Sequence, residues 1–187
     1  MGIFITIAIV VFIFYMISRS SKNRAKLMEQ LIAQAADRGI NAEYKLVLPK
    51  DIVLIDTNAK TLGVLNLKAK NVTRLNWNEI RDYEITKDGI TVYKKSGTLT
   101  NAAIGGVLFG GVGAIVGSNK TTTRGKEQIK KATLRIATRN FENPTINILI
   151  FDDTQPGMFA KKFLEETQKL CDRLAIIIEQ SNAINVG

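Results

Sequence analysis

Two adjacent aspartates, Asp152 and Asp153, a glycine-rich run that closes on Gly117-Ser118-Asn119-Lys120, and a single thiol, Cys171, are the groups in this chain that could do chemistry. Paired carboxylates can hold a divalent ion or share general acid and base work, but either role needs further carboxylates converging from elsewhere. At a strand exit just ahead of a helix, Asp152 and Asp153 more simply cap or complement the helix N-terminus. Gly111-x-Gly113-x-x-x-Gly117 superficially matches a dinucleotide loop. Such a loop requires a strand directly before it, a helix after it and an acidic residue about twenty positions on, and here Thr98 to Asn101 is a poor buried parallel strand with no βαβ unit around it. Gly117-Ser118-Asn119-Lys120 lacks the four-residue spacer and the Gly-Lys-Ser/Thr ending of a phosphate loop. Histidine is absent, which removes histidine-based triads and nearly every zinc arrangement. Cys171 lies beside an apolar stripe and reads as a small buried residue. No catalytic residue, metal ligand or cofactor is expected from these groups.

The glycine-rich run itself, 101–118, reads NAAIGGVLFGGVGAIVGS. Helical numbering places Ala102, Gly106, Gly110, Ala114 and Ser118 on one i, i+4 stripe, with Gly113 and Gly117 as a second pair. Small residues at this spacing let helix backbones approach closely, which matters most in lipid. In water each glycine would cost an ordinary helix about 0.8–1 kcal/mol relative to alanine. The run is therefore expected to be a membrane-seeking or self-associating insert, with Ala102, Gly106, Gly110, Gly113, Ala114 and Gly117 as its packing residues. As one helix it would be about 25 Å long, short of a ~30 Å hydrocarbon core. A hairpin bending near Gly110-Gly111 would return both ends to one side of the bilayer. Its flanks are basic, with Lys94 and Lys95 before it and Lys120, Arg124, Lys126, Lys130 and Lys131 after it. A loop packed on its own domain, or a subunit contact that never meets lipid, would suit the same residues.

Ile3 to Ile17 carries no charge, glycine or proline and, with Met1 and Gly2, makes an apolar run of 17 residues. That is the short limit for a spanning helix. No basic n-region or small-x-small cleavage site accompanies it, so an uncleaved anchor over 1–18 is expected. Arg19, Lys22, Arg24 and Lys26 follow at once, and the positive-inside bias puts the main domain in the cytoplasm and the N-terminus outside. The chain carries 26 Lys+Arg against 17 Asp+Glu, a formal net charge of +9. This surplus suits either nucleic acid or an anionic membrane. The basic clusters bracket the two most hydrophobic runs instead of interleaving with exposed aromatics, so the membrane is the expected partner and nucleic acid is not. Leu27, Met28, Leu31, Ile32 and Ala35 share one helical face, Gly39 is placed to stop the helix near Asp37, and this juxtamembrane segment, 19–40, is expected to dock on the domain that follows.

From Glu43 the apolar period becomes strand-like. Strands are expected at Tyr44–Leu48, Ile52–Asp56, Leu62–Leu67, Val72–Asn76, Tyr83–Thr86, Ile90–Tyr93, Lys131–Thr138 and Thr145–Phe151, with Asp88-Gly89 as a hairpin turn. Pro156 is placed to open a last helix over Gly157–Gln180, whose core stripe would be Phe159, Phe163, Leu170, Leu174, Ile177 and Ile178. Trp77 is expected in the core or at its rim. The fold class is α+β: a single transmembrane helix, then a small antiparallel barrel or sandwich over 41–182, closed by an amphipathic helix and interrupted by the glycine-rich hairpin.

This order of elements resembles the pleckstrin-homology-like superfold, including GRAM domains and their bacterial relatives. Leu75-Asn76-Trp77-Asn78-Glu79-Ile80 followed by Lys87-Asp88-Gly89-Ile90 is similar to a passage common in such domains. The insert resembles the glycine-zipper segments of bacterial envelope proteins. The resemblance implies binding of lipid headgroups or peptides. Together these readings describe a non-enzymatic, membrane-anchored binding or scaffold protein that self-associates or touches the bilayer through its glycine hairpin. Arg19, Lys22, Arg24, Lys26, Lys120, Arg124 and Lys126 would meet an anionic surface. Its expected partners are that lipid surface, further copies of itself and an unidentified protein. Two alternatives are a pore-forming or membrane-perturbing component of a defence or phage-exclusion system, and a membrane-bound enzyme acting on lipid or peptidoglycan precursors.

Overall fold

The alternating apolar residues downstream of Glu43 build two four-stranded antiparallel sheets in the computed structural model, which describes residues 2–94, 130–153 and 157–184. The first sheet has the order β1 (Tyr44–Val47), β2 (Asp51–Asp56), β3 (Thr61–Asn66) and β4 (Asn71–Asn76). A 3-10 turn at Trp77–Glu79 leads into the second, which contains β5 (Ile80–Lys87), β6 (Ile90–Lys94), β7 (Ala132–Thr138) and β8 (Thr145–Phe151) in the order β6-β5-β7-β8. Among the described residues no strand pairing joins the two sheets, so the sandwich alternative holds and the closed barrel does not. Helix α1 (Gly2–Asp37) precedes the sheets and α2 (Gly157–Ile184) follows them.

Two hairpins in the first sheet use the same turn chemistry. Asp56 Oδ1 accepts from the Ala59 amide and Asn66 Oδ1 from the Ala69 amide, each at 2.7 Å. Each turn then closes on a lysine with positive φ, 51° at Lys60 and 54° at Lys70. A non-glycine residue there costs roughly 1–2 kcal/mol, and the side-chain caps help offset it. The β5–β6 turn is the expected Asp88-Gly89, with φ of 49° and 86°, the combination that suits a two-residue hairpin.

Val53, Ile55, Leu62, Val64, Tyr83, Ile85, Leu134, Ile136, Ile148 and Ile150 fill the space between the sheets. Leu164, Leu170, Cys171, Leu174, Ile177 and Ile178 of α2 close it, each large aliphatic side chain contributing about 1.5–3 kcal/mol when fully buried. The stripe on α2 is shifted at its start from the expected one. Phe159 is 48% exposed, while Ala160 and Leu164 face the core. Phe159 stacks on half-buried Phe163 with ring centroids 6.4 Å apart.

A second core lies on the outer face of the first sheet. Leu31 and Ala35 of α1, with Ile40 just beyond it, cover Ile52, Leu54, Leu65 and Val72, and Leu27, Met28 and Ile32 pack around them. This explains why β2 is buried at every position, since helix covers one face and the inner core the other. The helix stops as expected at Gly39 (φ 75°). There Gly39 donates to the Ala36 carbonyl at 2.8 Å and Ile40 to the Ala35 carbonyl at 3.0 Å, a paired C-terminal cap. Gly63 makes room for the lid: a Cβ there would lie 3.0 Å from Ile40 Cδ1.

Strands β6 and β7 both pair antiparallel with β5 from opposite sides, so they run parallel to each other and the glycine-rich segment connects them. β6 ends with Lys94 opposite Glu84, and β7 begins beside Lys87. The two roots are thus offset by three residues along β5 and by two strand spacings across it, roughly 14 Å in all. The insert over 101–118, with Ala102, Gly106, Gly110, Gly113, Ala114 and Gly117, lies outside the described residues, as do Lys120, Arg124, Lys126 and Pro156.

Candidate functional site

The groups considered for chemistry separate in space. Among the described residues no cluster of His, Cys, Asp or Glu could hold a metal ion. Cys171 is fully buried on α2, and burial pushes its thiol well above the ordinary range. Asp152 forms an ion pair with Lys50 across the sandwich, Nζ to Oδ2 2.7 Å. Its expected role as a cap of α2 falls on a junction, 154–156, outside the described residues.

That ion pair belongs to one end of the sandwich, where three turns and one root of the insert converge. The Leu67 amide donates to the Lys50 carbonyl at 2.9 Å, joining the β3–β4 and β1–β2 turns. Beneath them Asp51, almost wholly buried, accepts from the Leu149 amide of the other sheet at 3.0 Å and from Asn66 Nδ2 at 2.8 Å. Burial pushes the Asp51 carboxyl up, against the pull of those two hydrogen bonds and of Lys50. On the second sheet the Asp88 carboxylate accepts from the Lys131 amide at 2.8 Å and the Lys130 amide at 3.1 Å, and the Asp88 amide donates to the Lys131 carbonyl at 2.9 Å. The turn residue Asp88 therefore fixes the point at which the chain returns from the insert.

Helix α1 enters the domain at this same end. Arg24 Nη2 donates to the carbonyls of Leu48 and Pro49 at 3.2 and 3.1 Å. Between α1, the β1–β2 turn and the start of α2 lies a groove of about 420 Å³, lined by Arg24, Leu48, Pro49, Lys50, Phe159 and Phe163 among others. Arg24 is six residues beyond Ser18, so about 9 Å of helix separates this corner from the end of the apolar run. Lys50, Lys68, Lys70, Lys130 and Lys131 are all exposed around the turns. The ion pair of Lys50 with Asp152 is half solvated and contributes at most about 1 kcal/mol, so it does not fix the lysine against an outside anion.

Of the cations expected from sequence to meet an anionic surface, Arg19, Lys22, Arg24 and Lys26 are all exposed on α1, and Arg24 ties the helix to the β1–β2 turn. Lys50, Lys68 and Lys70 were not legible as part of the same surface. Lys50 sits alone in the β1–β2 turn and Lys68 and Lys70 share the β3–β4 turn, and only the pairing of the strands brings the two turns together. The anchor expected over 1–18 falls on α1, whose side chains before Ser18 lie outside the described residues except for Phe12 and Met16; both are exposed. Among the described residues no helix is long and apolar enough to cross a membrane.

A family model described as "Glycine zipper containing PH domain" matches residues 42–152, more than half of the chain. The match begins just before β1, runs through both sheets and the glycine-rich segment, and ends at Asp152. Neither the curated proteins nor the solved structures contain a match.

Proposed function

The chain belongs to the family of PH domains that contain a glycine zipper, and from that premise we propose that it is a non-enzymatic binding or scaffold protein held against the inner leaflet of a cell membrane. In this reading residues 1–18 are the anchor, α1 is a rigid strut, and the basic turn end of the sandwich faces anionic headgroups. The observation that carries it is the entry of α1 at Arg24, beside the turns that present Lys50, Lys68 and Lys70. Exposed Phe12 and Met16 on the first half of α1 support lipid contact there. Each turn lysine near an anionic leaflet would add about 1 kcal/mol.

The placement of the insert's roots favours a re-entrant path over a single crossing. Both roots belong to one sheet and stand roughly 14 Å apart in it, whereas a crossing would separate them by a ~30 Å hydrocarbon core. The small-residue stripe of Ala102, Gly106, Gly110 and Ala114 would then pack against copies of itself.

Vesicle binding by residues 19–187 tests the proposal. The fragment is expected to float with phosphatidylglycerol vesicles and not with phosphatidylcholine vesicles, with affinity falling as salt rises. Charge reversal of Lys50, Lys68 and Lys70 together should weaken binding at least about 100-fold. Crosslinking of the full chain on the same vesicles should trap oligomers that are lost when Gly106 and Gly110 are both changed to leucine. Indifference to headgroup charge would overturn the lipid reading, and oligomers that persist in the double variant would overturn the packing role of the stripe.

A further inference from the structure

The opposite end of the sandwich holds a cleft of about 310 Å³, lined by Lys60, Asn76, Trp77, Asn78, Gln180 and Ser181 among others. Its walls are held firmly. The Trp77 amide donates to the Lys60 carbonyl at 3.0 Å, and Arg139 ties the 3-10 turn to α2, donating to the Asn78 carbonyl at 2.7 Å and to Asn182 Oδ1 at 3.3 Å. Trp77 is only 8% exposed, yet its indole N–H has no hydrogen-bond partner among the described residues, and neither does the buried hydroxyl of Thr61 on the strand next to it. A buried donor left unpaired costs about 1–3 kcal/mol, a cost that an acceptor brought by a ligand would remove.

The lining chemistry narrows that ligand. Asn78 and Gln180 offer the paired donors and acceptors that complement peptide groups, while the Asn76 amide is engaged within the chain, donating to Glu79 Oε2 at 3.0 Å. Lys60 supplies a positive charge, and among the described residues that line the cleft none is acidic. Beside it the β7–β8 turn projects Phe141, 97% exposed and so available to a polypeptide partner. We propose that this cleft binds the carboxylate-bearing C-terminal end of a peptide chain, with Lys60 at the carboxylate and the Trp77 indole donating to a ligand oxygen. The site faces away from the corner where α1 enters, so it is independent of the lipid surface proposed above.

Trp77 is the only tryptophan in the chain, so its emission reports on the cleft directly. Full-length protein in detergent micelles would be titrated with N-acetyl-trialanine bearing a free carboxylate, with the C-terminal amide of the same peptide, and with acetate. The free acid is expected to give a saturable emission shift, at least about tenfold tighter than the amide, a difference equivalent to about 1.4 kcal/mol. Lys60→Gln should remove that preference while the far-ultraviolet circular dichroism stays unchanged. In Trp77→Phe, followed by chemical shifts of the Asn78 and Gln180 side-chain amides, affinity for the free acid should fall several-fold. The proposal is overturned by no saturable response to the free acid, by equal binding of acid and amide, by acetate matching the peptide, or by an undiminished preference in a folded Lys60→Gln protein.

Discussion

Ala35→Asp is expected to undock α1 from the domain while leaving the sandwich itself folded. Ala35 is fully buried between α1 and the outer face of the first sheet, packed with Leu31, Ile40, Ile52, Leu54, Leu65 and Val72. A carboxylate there would lie among aliphatic side chains, and an uncompensated buried charge costs about 3–5 kcal/mol. The fully buried large side chains of this contact are Leu31 and, from the loop after the helix, Ile40, each worth about 1.5–3 kcal/mol, with half-buried Leu27, Met28 and Ile32 packed around them. The added cost is comparable to what those two fully buried side chains contribute together, so the contact should open instead of straining. Hydrogen exchange would read the change as lost protection over 27–40, with protection retained in β5, β7 and β8. Ala36→Asp, one residue on and exposed, is the control and should leave exchange unaltered. Equal effects from the two would mean that α1 does not dock through this face.

The second large effect is expected at Asp51. Its carboxylate joins the two sheets by accepting from Leu149 and Asn66, and Asp51→Ala would leave both half-buried donors without their acceptor. A cost of about 2–4 kcal/mol follows from two such losses, read as a lower midpoint in urea with little change in slope. Burial raises the Asp51 carboxyl above the ordinary range, so folding favours its protonated form. The corresponding stability is fully present below the unfolded carboxylate value and is lost as pH rises through the raised one. Asp51→Asn should flatten that component of the pH profile. A profile unchanged in Asp51→Asn would show that the group titrates alike in folded and unfolded chains.

Local chemistry carried much of the fold. Asp88-Gly89 named its own hairpin, Gly39 its helix stop, and the Leu27-to-Ala35 stripe its docking role. The 3.6-residue period of α2 was readable apart from its first turn, where Phe159 turned outward because Ala160 and Leu164 already fill the core face. β5 begins at Ile80, three residues earlier than the alternation suggests, because an irregularity between Ile80 and Asp82 breaks the two-residue period. Pairing was less legible. β6 is an edge strand on the far side of β5 from β7, an arrangement set by contacts between segments that the glycine insert separates in sequence. The same limit hid the turn-end surface. Lys50, Lys68 and Lys70 are unremarkable turn residues until strand register stacks their hairpins, and the Trp77 cleft exists only because α2 returns to the β4–β5 connection.

The orientation of the sandwich against the bilayer is the claim on which the functional account rests, and depth-dependent quenching tests it most directly. Full-length protein would carry one environment-sensitive fluorophore, on Ala69→Cys at the β3–β4 turn or on Asn58→Cys at the β2–β3 turn, with Cys171 spared by its burial. In phosphatidylglycerol-containing vesicles with a headgroup-borne quencher, the label at position 69 is expected to be quenched and the label at position 58 to stay bright. Equal quenching at the two positions, or stronger quenching at 58, would contradict the account.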